Sequence, residues 1–358
     1  MNSERSPWIV SPRFDLSFFL LGAWLVPILL WAGIGLWGLL TSLLIFRVLD
    51  YSHIFVTWPF TFGDRETMTA HGRWYRVGFL AIVILSVLMT TLGRSAQVLW
   101  WSVFIYWGAF HIIRQHYGFL RIYQARQGAT PELAKAEVGL LYSGTAFPYL
   151  LNLSQGWALD PMGDQVFQLP VPAVLAWGAL GIFVACAVQV AWGWWCLLRS
   201  GRRVGWQRLL HLVLAISNFW VGLLWAGQTN AALAALFITS YHDLQYHGVI
   251  WWVGQRRYRR RDSNPFGSLF TARLPLLLVG FVLAAGCLHT LMIGDLSWLP
   301  GLEWSRFAFS DEPGPMMYVA NFFIGTVAAH YLFDGKMWKM SENPRLRQEL
   351  DLSRPSGA

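Results

Sequence analysis

The sequence predicts an all-α, polytopic integral membrane protein of about ten transmembrane helices. Three observations carry this. Only 13% of the 358 residues are charged while 55% are hydrophobic, against about 25% charged in a soluble domain, so a soluble surface of this size could not be clothed. The mean hydropathy of +0.42 excludes a disordered chain. Apolar runs of about 20 residues, the length that crosses a bilayer, recur along the whole chain.

The runs fall at 16–35, 37–61, 75–93, 97–125, 134–152, 172–198, 207–227, 229–255, 272–293 and 316–338, and form a single transmembrane domain over 1–358. The first follows a polar start, Met1 to Asp15, and has no small-residue cleavage site near its end, so it reads as a retained helix. Gly, Pro and charge separate the runs: Gly33 to Gly38, Asp64-Arg65-Glu66, Gly128 to Pro131, Asp160 to Pro172, Ser200 to Arg203, Gly227-Gln228, Asp262 to Pro265 and Pro300 to Pro315. The longest outer loops, 153–171 and 294–315, are too short to fold alone. Cys186, Cys196 and Cys287 lie inside apolar runs and read as small buried hydrophobes.

Charge orients these spans. With the N-terminus inside and the runs alternating, all but four of the 27 Lys and Arg fall on inner segments. The exceptions are Arg94 and Arg306 outside, and Arg47 and Arg114 within spans. That asymmetry follows the positive-inside rule and predicts a protein of the inner (cytoplasmic) membrane with both termini cytoplasmic. The basic run at 256–261 beside a span end is a topology anchor and a contact for anionic membrane lipids; no nucleic acid is expected. Most of the 22 tryptophans sit at span ends, as aromatic belts do.

Polar residues inside spans are costly and mark function. Of nine histidines, His71, His211 and His289 lie at or near span ends and read as interfacial or structural. The other six lie on spans two, four, eight and ten, which all run from outside to inside. His53 stands about 16 residues from the outer end, His111 about 14, His242 about 13 and His330 about 14, so their depths agree within roughly 5 Å. His116, His247 and Asp334 form a second layer, and Asp50 sits just above His53.

The local spacing reinforces this convergence. His111-x4-His116 and His242-x4-His247 are matching boxes, each with a glutamine between (Gln115, Gln245) and a glycine after. His330-x3-Asp334 and Asp50-x2-His53 place each pair on one helix face. Five residues turn a helix about 500°, which leaves the two rings of a box about 140° apart and about 7.5 Å displaced. Two metal ions, each taking one ring from each box, suit that displacement. The expected ligands are His53, His111, His116, His242, His247, His330, Asp50 and Asp334. Histidine with carboxylate and no thiolate suits iron, zinc, copper or manganese. Asp243, Gln115 and Gln245 are expected to serve the chemistry by orienting ring N–H groups. Arg114 needs a partner, Asp243 or Asp50, and Arg47 can pair with Asp50.

The H-x4-H boxes resemble the first histidine box of membrane fatty-acid desaturases and related hydroxylases. That resemblance implies a helical di-iron oxygenase of lipids, with His111, His116, His242 and His247 as iron ligands. The further H-x2-H-H boxes of that family do not occur in this sequence. The expectation is an intramembrane metal enzyme, an oxygen-dependent oxidoreductase with iron (two ions; zinc or copper as alternatives), which hydroxylates or desaturates a lipophilic small molecule. No nicotinamide or flavin motif is present, so an acidic electron-donor protein on the cytoplasmic face is expected as partner. The alternatives are a haem- or pigment-binding electron-transfer protein, a zinc-dependent lipid hydrolase and a transporter.

Overall fold

A computed structural model describes residues 6–156, 166–202, 204–226, 231–258 and 311–352, without the side chains of 34–47, 231–232 and 316. The expected span 272–293, with Cys287 and His289, lies outside the described residues, as do most of 294–315 and the side chain of Arg47. Among the described residues every regular element is helical.

A helical turn α1 (Pro12–Phe14) runs through a π-turn (Asp15–Phe19) into α2 (Leu21–Thr61). There follow α3 (Arg65–Thr91), α4 (Arg94–Gln127), α5 (Pro131–Ser154) and α6 (Ala173–Arg199). Helix α7 (Trp206–Trp220) ends in a π-segment (Val221–Ala226), and α8 (Ala231–Arg257), α9 (Pro315–Met337) and the short α10 (Pro344–Glu349) complete the order. The ends follow the sequence. Asp64 caps α3 by accepting from the Thr67 N–H at 2.7 Å, and Thr130 with Pro131 opens α5. Gly128, at φ 63°, closes α4 in the left-handed conformation that glycine takes without strain.

Five helices among the described residues are long and apolar enough to cross a membrane: Pro12–Gly33, Arg65–Thr91, Arg94–Gln127, Ala173–Arg199 and Trp206–Ala226. Helices α5, α8 and α9 and the second arm of α2 carry buried polar residues of the interior, among them Glu137, His53, His242, Asp243, His330 and Asp334. Outward faces are the reverse. On α6 only Ala176, Ala179 and Val190 are buried, while Val174 and Val188 are 71% and 64% exposed. Apolar outside and polar within is the pattern of a helix bundle in lipid.

Helix α2 departs from the expected pair of spans, 16–35 and 37–61. Its 41 residues are helical throughout and would extend about 60 Å if straight. Contacts forbid that. The Phe19 carbonyl at its start accepts from Tyr241 and Gln245 of α8, and Leu30 packs with Leu236 and Phe237 further up α8. At the other end His53 meets Asp243 and Ser52 meets His247. Residues 19 and 53 would stand about 50 Å apart on a straight helix, yet both touch the same two turns of α8. The axis therefore reverses between Gly33 and Val48. That stretch contains Gly33, Gly35 and Gly38 and no proline; its backbone stays helical while its glycines let the axis bend.

The second arm of α2 and helices α4, α8 and α9 run in one direction, the relative direction the sequence expects. His53 meets Asp243, Thr57 meets Tyr246 and Phe60 meets Tyr258, so numbers rise together on α2 and α8. Thr57–His330 and Phe60–Trp338 show the same for α9, and Phe104–Tyr331 with His111–Asp334 for α4. Helix α3 packs antiparallel on α9. A Cβ added to Gly325 would stand 2.9 Å from Val83 Cα, and Ser86 Oγ donates to the Asn321 carbonyl at 2.6 Å. Small residues that let backbones approach, with a hydroxyl bridging them, are how helices adhere in lipid. A buried pair, Arg208 Nε to Glu137 Oε1 at 2.8 Å, joins α7 to α5. Gln124 of α4 and Trp194 of α6 donate to the same carboxylate.

Candidate metal centre

Four imidazoles meet where the four parallel segments converge. His53 lies 5.0 Å from His242 and 4.9 Å from His330, ring centre to ring centre. His111 lies 5.0 Å from His242 and 5.1 Å from His330. The four rings thus close a quadrilateral, each adjacent pair tilted by 68° to 86°. With metal–nitrogen bonds of about 2.0–2.1 Å, ring centres stand about 3 Å from an ion and neighbouring centres about 4.5–5 Å apart. The observed spacing is close to that.

Carboxylates flank the quadrilateral on two sides. Asp243 Oδ1 is 2.9 Å from His53 Nδ1, and Asp50 Oδ1 is 3.8 Å from the same nitrogen. On the far side Asp334 Oδ2 is 3.8 Å from His111 Nε2. Three sets of donor atoms lie within 4.8 Å of one another: His53, His242 and His330; His111, His330 and Asp334; Asp50, His53 and Asp243. His330 links the first two sets and His53 the first and third, so the donors form one continuous group.

The polar atoms at this focus lack partners. His53 Nδ1 and Nε2, His111 Nε2, His242 Nδ1, His330 Nε2 and both carboxylate oxygens of Asp243 make no hydrogen bond. The 2.9 Å approach of His53 to Asp243 is too bent to be one. His53, His242, His330 and Asp243 are each at most 3% exposed. A buried polar atom without a partner costs about 1–3 kcal/mol, and native structures leave few of them. These partnerless atoms at one dry point, with one lone pair and one N–H from a neutral His53, form a donor set that fits a cation, and nitrogen with carboxylate oxygen fits iron, zinc, copper or manganese.

The structure brings together His53, His111, His242, His330, Asp50, Asp243 and Asp334. It does not bring His116 or His247 to them. His116 turns toward α7, its ring 5.1 Å from Tyr241 and 5.8 Å from His211. Ser52 Oγ donates to the Leu49 carbonyl, so it accepts from His247 Nε2–H at 3.0 Å, and that ring clamps α8 to α2. The physical reason is the five-residue spacing: with α-helical geometry held through both boxes, the second ring faces about 140° away from the first.

The glutamines also differ from expectation. Gln115 Nε2 donates to the His242 carbonyl at 2.9 Å and Gln245 Nε2 to the Phe19 carbonyl at 2.8 Å. They fasten α4 to α8, and α8 to the N-terminal turn, through backbone carbonyls rather than through the rings of the four converging histidines. Asp243 faces His53 directly. Arg114 meets neither Asp243 nor Asp50: it donates to Tyr142 Oη at 2.9 Å and lies over the Tyr117 ring. His211 is fully buried and donates to the His116 carbonyl at 2.9 Å, a structural role. His71 is exposed, away from the cluster.

Three residues join the site without having been anticipated. Tyr331 stacks on His111 at 4.7 Å, in space that Gly108 leaves open, since a Cβ there would stand 2.9 Å from Tyr331 Oη. Thr57 and Tyr246 hydrogen-bond to each other at 2.6 Å. Thr57 lies four residues after His53, and Tyr246 four after His242. The same-face spacing that selected His330 and Asp334 was the signal for both. No protein-family model, curated protein or solved structure matches this chain.

Proposed function

We propose that this chain is an intramembrane metal enzyme in which His53, His111, His242 and His330, with Asp243, Asp334 and Asp50, hold iron for the oxygen-dependent hydroxylation or desaturation of a lipophilic molecule. The observation that carries this reading is the convergence of partnerless nitrogen and oxygen bases at one buried point. Iron supplies dioxygen activation there, and a ligand set free of thiolate suits it. Either reaction withdraws two electrons from the substrate and takes two more from a reductant, which together carry one dioxygen to water or to water plus a hydroxyl group.

The surroundings support a substrate arriving from lipid. Phe55, Trp58, Phe62, Phe79, Phe322, Phe323 and Thr326 line an apolar groove on the outer face of α2, α3 and α9. Thr326 precedes His330 by one turn on the same face. A water-soluble substrate would instead face a large desolvation cost at such a site. The electron donor of this reading is an acidic protein on the cytoplasmic face. Exposed Arg65, Arg73, Arg76, Arg199 and Arg202 lie toward the end of the bundle at which the four site segments finish. The reading includes about ten spans with both termini cytoplasmic, from the charge asymmetry of the sequence.

A haem reading is disfavoured by packing. The four rings touch edge to face at about 5 Å, with Tyr246 and Tyr331 against them, which leaves no slot for a porphyrin among the described residues. The test compares lipid extracts of cells with and without the protein, in air and without oxygen. A changed lipophile that requires air and vanishes with His111→Ala is the expected result. A change that persists without oxygen identifies a metal-dependent hydrolase and overturns the oxidative assignment.

A further inference from the structure

We infer that Asp334, Tyr246 and Thr57 form a directed hydrogen-bond relay that sets the tautomer of His330 and so presents its Nε2 lone pair to the metal. The inference rests on the metal-centre reading above, and it follows from counting hydrogens.

Tyr246 Oη lies 2.8 Å from Asp334 Oδ1. Tyr246 is the donor of this bond, so its single phenolic hydrogen goes to Asp334. Thr57 Oγ1 lies 2.6 Å from Tyr246 Oη. With the phenolic hydrogen already used, the Thr57 hydroxyl must donate to Tyr246. Thr57 Oγ1 is also 2.8 Å from His330 Nδ1. Its one hydrogen being spent, that contact is a hydrogen bond only if Nδ1 carries the proton. A neutral imidazole protonated at Nδ1 has its lone pair on Nε2, and His330 Nε2 is the nitrogen left without a partner.

The relay joins three of the four converging segments: Asp334 and His330 on α9, Tyr246 on α8 and Thr57 on the second arm of α2. Asp334 is used at both oxygens. Oδ1 anchors Tyr246, while Oδ2 faces His111 Nε2 at 3.8 Å and belongs to a donor set with His111 and His330. By holding the proton on Nδ1 the relay leaves the Nε2 lone pair of His330 free, the role outer partners of metal-bound histidines play. Thr57, Tyr246 and the Asp334–Tyr246 contact are positioning elements; none needs to touch substrate.

The test uses the full-length protein in nanodiscs with Fe²⁺ alone as probe, under anaerobic competition with a chromophoric chelator. Thr57→Val keeps the side-chain shape and removes the hydroxyl. It and Tyr246→Phe should each weaken Fe²⁺ binding by about 10- to 100-fold, while Thr57→Ser retains wild-type affinity. The double variant T57V/Y246F should be no weaker than the poorer single variant, because both cut one chain. A second readout needs no metal: nitrogen-15 solid-state spectra of histidine-labelled protein, with the His330 signal assigned by its loss in His330→Asn. Wild type should show His330 protonated at Nδ1, and T57V should lose that preference. Wild-type protein with His330 protonated at Nε2 overturns the relay, as does unchanged Fe²⁺ affinity in both T57V and Y246F. If wild type binds no Fe²⁺, the metal reading falls, and the His330 spectrum still decides the relay by itself.

Discussion

Replacement of His242 by phenylalanine separates a metal ligand from a structural histidine by the sign of two effects. His242 is 1% exposed, stands between His53 and His111 at 5.0 Å from each, and its Nδ1 has no partner. In the metal-free protein that nitrogen is a liability of about 1–3 kcal/mol. Phenylalanine removes it and keeps a ring in place, at an overpacking cost of about 1–3 kcal/mol for the added volume. The two offset, so metal-free stability should change by no more than about 2 kcal/mol. Alanine leaves a cavity as well and should cost about 2–5 kcal/mol. Binding behaves differently. Wild type at a thousandfold excess of Fe²⁺ over its dissociation constant gains about 4 kcal/mol, and H242F should lose most of that gain because the His53–His242–His330 set loses a member. Thermal unfolding in nanodiscs with and without Fe²⁺, beside elemental analysis, measures both quantities. An H242F protein that Fe²⁺ still stabilises as it does wild type would refute the ligand assignment. Metal-free H242F destabilised as much as H242A would show that the ring is held by structure rather than kept for an ion.

Two further outcomes concern the end of the chain beyond the site. Arg257 Nε and Nη2 donate to the two oxygens of Glu349 at 2.8 and 2.7 Å, with side chains 2% and 8% exposed, and this fork docks α10 on α8. Glu349→Ala should destabilise that docking by about 3–5 kcal/mol, and the pair replacement R257M/E349L should recover most of it; trypsin cleavage after Arg345 and Arg347 reads the undocking. Hydrogen bonds from the Lys336 and Lys339 ammonium groups hold the exposed Glu342 carboxyl down at about 2. Its folded value lies below its unfolded one, so the small stabilisation is complete above the ordinary carboxylate range and fades as pH falls from there toward 2. Carbon-13 titration of Glu342 should show that low midpoint, and Lys336→Gln should move it upward.

The helical class was legible because hydropathy runs and charge placement are local properties that survive any packing. The convergence of His53, His111, His242 and His330 was legible for a related reason: depth along parallel helices is counted directly from sequence at 1.5 Å per residue. What a residue count along the axis does not give is rotation about it. Which of several polar side chains at one level turns inward depends on where neighbouring helices stand, and no pattern on a single helix states that. Arg114 illustrates this, since it finds Tyr142 of α5 instead of a carboxylate at its own level. The reversal within α2 was hidden differently. A glycine-bearing apolar stretch reads as a break between spans, yet without a proline its backbone remains helical while its axis turns.

The two H-x4-H boxes show how far spacing determines role. In each box the first histidine joins the quadrilateral, and the second contacts a different neighbour: His116 lies against Tyr241 and His211, and His247 binds Ser52. Residues at i+4 from the inward histidines stay on the inward face instead, and there the sequence places Thr57 after His53, Tyr246 after His242 and Asp334 after His330. These three are linked to one another by hydrogen bonds. The inward faces of three helices thus repeat one arrangement, an imidazole followed one turn later by an oxygen-bearing side chain that can hold its neighbours in place. Outside that focus His247 fastens α8 to α2 through Ser52, while the His116 ring packs on Tyr241, so a box that looks like a pair of ligands brings one donor to the focus. A π-bulge would have brought both rings inward, but α4 and α8 keep α-helical geometry through their boxes, and with it the division of labour between the two histidines.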